Sequence, residues 1–282
     1  TLGALISKTD SVSFSNNGNT ATFSVNGSIA AYSVDEIDSI SFGENSDTIS
    51  VVYNGSSTSV VNPLAFEGVS VQVNGADVTV TATTETKDIN YKLSGNTTNG
   101  MFKIYSEKRF NLHLNGIDIT NSDGPAINIQ ANNKVSVMLA AGTTNKLTDG
   151  TIYANPVTNS DGEQEDQDAA FFSEGKLVFS GTGSLTINGK GTDKHGLCSD
   201  DEIEFDGGTV TVSSAAKDGI HANDGIIVTN GTINVTSTGD AIDADEGYLT
   251  ISGGNITTIN TAADIKSLAC DSIMTISGGT IT

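Results

Sequence analysis

The chain has 282 residues, 34 of them acidic and 13 basic, giving a formal charge of −21, with 31 glycines and three prolines. So acidic a surface disfavours nucleic acid and anionic membranes and suits a soluble, cation-binding protein. No apolar run approaches the roughly 18 residues needed to span a bilayer, and the abundant β-branched residues fit strands and turns rather than disorder.

Residues 1–6 have neither a basic flank nor a full apolar core, so an export signal is expected to be already removed or never present. Across residues 1–62, short alternating strands are expected at 12–14, 20–25, 39–42 and 48–53, with turns at 16–19, 26–27 and 54–55. This small β unit is either a separate module or the cap that a solenoid end requires over its exposed strand edges. From residue 63 to residue 282 the pattern changes to many short alternating segments, such as 110–114, 135–139, 177–179, 203–205, 226–228 and 249–251. Gly-Gly or Asn-Gly turns follow at 207–208, 230–231, 253–254 and 278–279. Strands this short, with so few helix signals, cannot build a βαβ sheet, and an all-β parallel β-helix is the expected architecture. Residues 155–168 break the rhythm. They are polar and acidic without apolar period, and read as an insertion looping out of one coil, either a solvated loop or a flap over a binding surface. The sequence stops in mid-coil at residues 276–282, which leads us to expect further coils in the native protein or a partner over the last rung.

Three segments repeat one another: His195-Gly-Leu-Cys-Ser-Asp-Asp201, Asp218-Gly-Ile-His-Ala-Asn-Asp224 and Asp240-Ala-Ile-Asp-Ala-Asp-Glu246. If each is one coil, acidic residues fall into columns: Asp200, Asn223 and Asp245; Asp201, Asp224 and Glu246; Asp218 and Asp240. Coils paired through their strands sit about 4.8 Å apart, where stacked carboxylates repel unless a cation lies between them. Calcium takes six to eight oxygen ligands of this kind, so Asp200, Asp201, Asp218, Asp224, Asp240, Asp243, Asp245 and Glu246 are the candidate metal ligands. Asp218, Asp240, Asp224 and Asp245 stand first among them, and the alternative is a solvated acidic ladder. His195 and His221 are out of register: His195 aligns with Asp218 and His221 with Cys198. Both are therefore read as surface polar residues rather than a zinc site. His113, between Leu112 and Leu114, is expected to point outward. Cys198 and Cys270 lie several coils apart and are expected as small buried residues rather than a disulfide.

Residues 112–129, the segment 142–150 and Asp218-Gly-Ile-His-Ala222 together resemble a bacterial carbohydrate-binding domain family of right-handed parallel β-helices, related in shape to pectate lyases. The resemblance covers roughly residues 65–282. It implies a calcium-containing binder of polysaccharides, acidic sugars included, without established lyase activity. Residues 1–62, through Ser33-Val-Asp-Glu-Ile-Asp-Ser-Ile-Ser-Phe42, also resemble the leading segment of exported Bacteroidetes proteins, which implies an extracellular or cell-surface location.

Two enzyme readings stand beside the binder. A calcium-dependent lyase needs a base to take the proton beside the uronate; Arg109, the one arginine, lies several coils away, which leaves Lys194, Lys217 and Lys266. An inverting glycosidase needs carboxylates about 6.5–9.5 Å apart, a spacing that Asp200-Asp201 and Asp224 could satisfy, but the further elements of polygalacturonases are absent. A structural solenoid rigidified by calcium is the third option. With no Trp and six Tyr, a flat aromatic platform for crystalline glycan is lacking. Recognition of a uronate through bound calcium fits the composition better, since the metal reverses the repulsion between an acidic protein and an acidic glycan.

Overall fold

The computed structural model describes residues 11–25, 28–36, 47–154, 156–158, 162 and 164–282. The expected strand at 39–42, the turn at 26–27 and the opening residues 1–6 lie outside the described residues. Among those described, regular structure is all strand apart from two 3-10 turns, Asn16–Gly18 and Val34–Glu36, and no helix is long and apolar enough to cross a membrane.

The fold follows from how alternation is interrupted. In the strand Phe110–Thr120 the buried positions are Phe110, Leu112 and Leu114, then Ile117 and Ile119. The parity changes because Gly116 takes a left-handed φ of 78° and inserts one residue, shifting the pairing register between Leu114 and Ile117. Glu202–Ser214 and Gly225–Ser237 turn at the equivalent place, at Gly208 (φ 74°) and Gly231 (φ 94°). Each long strand thus serves two faces of a coil. A third face is a separate nine-stranded sheet that includes Met101–Ser106, Ile127–Gln130, Ala169–Ser173, His195–Ser199, Ile220–Ala222, Ile242–Ala244 and Leu268–Cys270.

Successive coils pair in parallel with little slip. One inward ladder runs Leu112, Val137, Phe179, Phe205, Val228, Ile251 and Ile276, and the third face contributes Phe102, Ile127, Phe171, Leu197, Ile220, Ile242 and Leu268. Phe179 and Phe205 stack with centroids 5.3 Å apart and planes 14° from parallel. These ladders form one core from Ile49 to Ile256, in which each fully buried Leu, Ile or Phe contributes about 1.5–3 kcal/mol. The expected parallel β-helix is the observed architecture.

The solenoid core starts before residue 63. Thr48–Asn54 pairs in parallel with Ile89–Thr97 and antiparallel with Ser57–Val61, so Ile49, Val51 and Tyr53 belong to the common core. The hairpin Val69–Asn74 and Asp77–Ala82 joins the third face in the same way. In both cases the antiparallel outer strand ends the parallel stack. Ser11–Ser15, Thr20–Val25 and Ser28–Ser33 form their own three-stranded antiparallel sheet. Both cysteines are free; Cys198 is buried as expected, packed with Ala169 and Phe172 apart from the main core, whereas Cys270 is half-buried and follows Ala244 in its column.

The glycines of the repeat have a steric reason. A Cβ on Gly196 would lie 2.5 Å from Val212 Cγ1, and one on Gly219 would lie 2.1 Å from Val235 Cγ1. Backbone and opposite wall touch there, so a methyl group cannot fit without displacing the coil. Gly219→Ala is expected to cost about 1–3 kcal/mol and to lower the melting temperature by roughly 3–10 °C, measured by thermal denaturation.

Candidate functional site

The corner before each third-face strand explains how the acidic motif is displayed. Gly196 is packed against the interior and Leu197 enters the core, so two successive positions are spent inward. The residues on either side, His195 and Cys198, are left on the outer side of the bend. The next two coils repeat the arrangement with Asp218 and His221, then Asp240 and Asp243.

The aspartates at the corner first serve the backbone. Asp218 Oδ1 accepts the N–H of Asp240 at 2.7 Å, and Asp240 Oδ1 accepts the N–H of Lys266 at 2.6 Å. Asp149 does the same for Lys190 and Gly191 at 2.5 and 3.1 Å. Each carboxylate therefore ties its coil to the next. Asp201 Oδ1 accepts the N–H of Glu202 at 2.7 Å. Asp224, Asp245 and Glu246 are exposed. A cleft of about 270 Å³ brings Asp240, Asp243 and Asp245 together with Asp271 and Lys266.

Asp200 belongs to a tighter group. Carboxylate oxygens of Asp166, Glu174 and Asp200 all lie within 4.8 Å of one another. Burial, reinforced by Asp200, Asp166 and Glu165, pushes Glu174 up to about 7; burial, with Asp166 and Asp168, pushes Asp200 up to about 6. Glu174 was not anticipated, although Ser173-Glu174 stands over Ser199-Asp200 in the register. Extending the repeat one coil upstream would have found it. Asp166 comes from the insertion, and only folding reveals its place.

The insertion docks on the third face. Glu165 accepts from Lys103 Nζ at 2.7 Å and from the Tyr105 hydroxyl at 2.6 Å. Gln130 donates to the Asp166 carbonyl at 3.0 Å, and Lys194 Nζ sits 2.6 Å from Asp168. The insertion, in its described residues, thus packs on the third face instead of looping free into solvent. Beneath it, Tyr153, Glu165, Asp166, Asp168, Thr192 and Lys194 help line a cleft of about 420 Å³. Residues 155, 159–161 and 163 lie outside the described set.

The two histidines are where sequence reasoning failed. The register is as expected, with Cys198 beside His221, but both side chains are buried, His195 to 2% exposure. Their rings stack at 4.2 Å between centroids. Strict columns ignore diagonals: Asp218 and His221 leave the same side of the bend, so the His195 ring above Asp218 meets the His221 ring three residues along. His195 Nδ1 lies 3.4 Å and His221 Nδ1 3.6 Å from Asp218 Oδ2, and His221 Nδ1 lies 3.4 Å from Asp243 Oδ2. Burial works against charge on His221, but Asp218 and Asp243 outweigh it and hold it at about 9. Burial and the neighbouring His221 push His195 down. As expected, His113 is only half-buried, bonded at 2.9 Å to Asn90.

The raised carboxylates carry a pH dependence. Glu174 holds its proton more tightly folded than unfolded, so its contribution to stability is complete below about 4.5 and is lost as pH rises through about 7. In chelator, Glu174→Gln is expected to melt a few degrees higher than the parent at pH 8 and at the same temperature at pH 4, as read by thermal melts across that range.

Residues 74–282, well over half of the chain, match the family described as carbohydrate-binding domain-containing protein. A carbohydrate-binding domain-containing protein of Acetivibrio thermocellus is 30% identical over 144 residues, covering 50% of this chain and 48% of that protein. The chain thus spans about half the length of that curated relative. Among solved structures, the polysaccharide lyase-like protein from C. thermocellum, as a gadolinium derivative, superposes with a TM-score of 0.67 at 25% identity, covering 83% of this chain and 99% of that one. The solenoid with its acidic third face therefore belongs to the family of carbohydrate-binding domain-containing proteins.

Proposed function

We propose that this chain binds acidic polysaccharide along its third face, with calcium bridging the protein's carboxylates to sugar uronates. The observation that carries the reading is the convergence of Asp166, Glu174 and Asp200 beside the insertion cleft. Burial first, and then repulsion among neighbouring carboxylates, makes Glu174 and Asp200 hold protons tightly. A divalent cation relieves the same strain more fully. The donor set is all carboxylate oxygen, which suits a hard ion such as calcium. The structural neighbour was solved as a gadolinium derivative, and gadolinium is a hard cation that seeks the same donors. The exposed carboxylates Asp224, Asp245 and Glu246, with Asp201, Asp218, Asp240 and Asp243, extend the acidic strip for further ions or for a second stretch of glycan.

Calcium would be held by Asp166, Glu174 and Asp200, and would supply positive charge to a site that otherwise rejects a uronate. The chain's own groups do the rest. Lys194, fixed by Asp168 and lying 5.5 Å over the Tyr153 ring, offers a cation at the cleft wall, and Tyr153 presents a ring face. Of the three lysines a lyase could use as its base, Lys194 is engaged by Asp168 and Lys266 by Asp240, which favours binding over cleavage and leaves exposed Lys217 as the base the alternative lyase reading needs. Such a module suits the outside of a cell, where calcium is abundant enough for sites of modest affinity.

Calorimetry with oligogalacturonate tests the reading. Affinity is expected to fall at least tenfold on chelation, and as far in Asp200→Asn with calcium present; unchanged affinity in chelator would sink it. Calcium at about 100 times its dissociation constant is expected to add about 2.7 kcal/mol, raising the melting temperature by roughly 5–10 °C. Glu174→Gln should lose most of that gain.

A further inference from the structure

We infer that His195, Asp218 and His221, with Asp243 beside His221, form a separate cation site built for a borderline transition-metal ion such as Zn2+ rather than for calcium. The inference goes beyond glycan binding and does not depend on it.

The first observation is two buried, unsatisfied nitrogens. Neither His195 Nδ1 nor His221 Nδ1 makes a close hydrogen bond, the facing carboxylates standing 3.4–3.6 Å away, although the His195 side chain is only 2% exposed. A buried polar atom left unpaired costs about 1–3 kcal/mol, so two converging on one point call for a ligand. The convergence is tight: His195 Nδ1, Asp218 Oδ2 and His221 Nδ1 all lie within 4.8 Å of one another.

The spacing is the second observation. The nitrogen-to-oxygen separations are 3.4, 3.6 and 3.4 Å. Charge-assisted hydrogen bonds would close to about 2.7–2.9 Å. Zinc bonds of about 2.0–2.2 Å in a tetrahedron place neighbouring donors about 3.3–3.6 Å apart. The side chains stand off from one another at the spacing a shared small ion requires.

The outer contacts of the donors are already in place, and the two stacked rings, with planes 21° apart, would turn to aim both lone pairs at the ion. His221 Nε2 faces Asn223 Oδ1 at 3.2 Å; by keeping its proton there and giving up the Nδ1 proton that Asp218 and Asp243 favour, the ring would offer the Nδ1 lone pair to a metal, the outer-shell arrangement usual for a metal-bound histidine. Asp218 spends Oδ1 on the Asp240 amide, which aims Oδ2 at the two rings. Two imidazole nitrogens are poor partners for calcium and good ones for zinc. Because the three ligands come from two successive coils, the ion would staple them together, with Asp243 Oδ2 held next to His221 at 3.4 Å and the fourth position left to water.

The test uses the full chain stripped with chelator and titrated with Zn2+ by calorimetry, then with Co2+ by visible absorption. We expect one Zn2+ per chain, undisturbed by millimolar Ca2+, a Co2+ spectrum of tetrahedral type, and an upward shift in melting temperature. His195→Ala and His221→Ala should each weaken Zn2+ at least about 100-fold, while Glu174→Gln leaves it unchanged. If the alanine variants fail to fold, His221→Gln and the Co2+ spectrum of the parent chain decide. Absence of stoichiometric Zn2+ binding, an octahedral Co2+ spectrum, or undiminished affinity in the histidine variants would overturn the site and leave the four side chains as an ion-pair network.

Discussion

Parallel pairing of successive coils, about 4.8 Å apart, is the constraint on which everything else in this molecule rests. Each residue stands over its counterpart one coil away, so a choice made once is made down a column. Inside, that turns Leu112, Val137, Phe179, Phe205, Val228 and Ile251 into one continuous hydrophobic stack. Outside, it turns acidic residues into columns of like charge. The same geometry that stabilises the first concentrates repulsion in the second.

The acidic columns resolve this tension in different ways. At the corner, Asp218 and Asp240 each lend one oxygen to the amide of the following coil, so part of their charge is used to hold coils in register. Lys194 and Lys266 neutralise others, pairing with Asp168 and Asp240. What remains is concentrated where Asp166, Glu174 and Asp200 meet, and there protonation absorbs the strain. The insertion deepens it by adding Asp166 while its Glu165 neutralises Lys103. It is on this arrangement that the proposed binding of cations and glycan rests.

Glycine sets where this happens. Gly116, Gly208 and Gly231 turn the wall from one face to the next through a left-handed residue. Gly196 and Gly219 permit close approach to Val212 and Val235, which spends two successive positions inward and puts His195 with Cys198, and Asp218 with His221, on the outside of the bend. The chemistry of the third face is thus a by-product of how the backbone packs at one corner.

Much of this was legible in the chain itself. Alternation with glycine turns at a step of 22 or 23 residues determined a stacked solenoid, because a period repeated in sequence can bury its apolar face only against its own copies. The repeat also determined that Asp218 stands with Asp240 and His221 beside Cys198. Three things belonged to the tertiary structure. Thr48–Asn54 joins the solenoid because a strand edge pairs with whatever backbone is offered, and composition does not record partners. Asp166 meets Glu174 and Asp200 because an insertion without period docks through Glu165 and Gln130, contacts that no spacing encodes. His195 meets His221 across a diagonal, since side chains long enough to span neighbouring columns are placed by the bend of the backbone rather than by register. Sequence determined the columns; only the folded corner decided which of them touch.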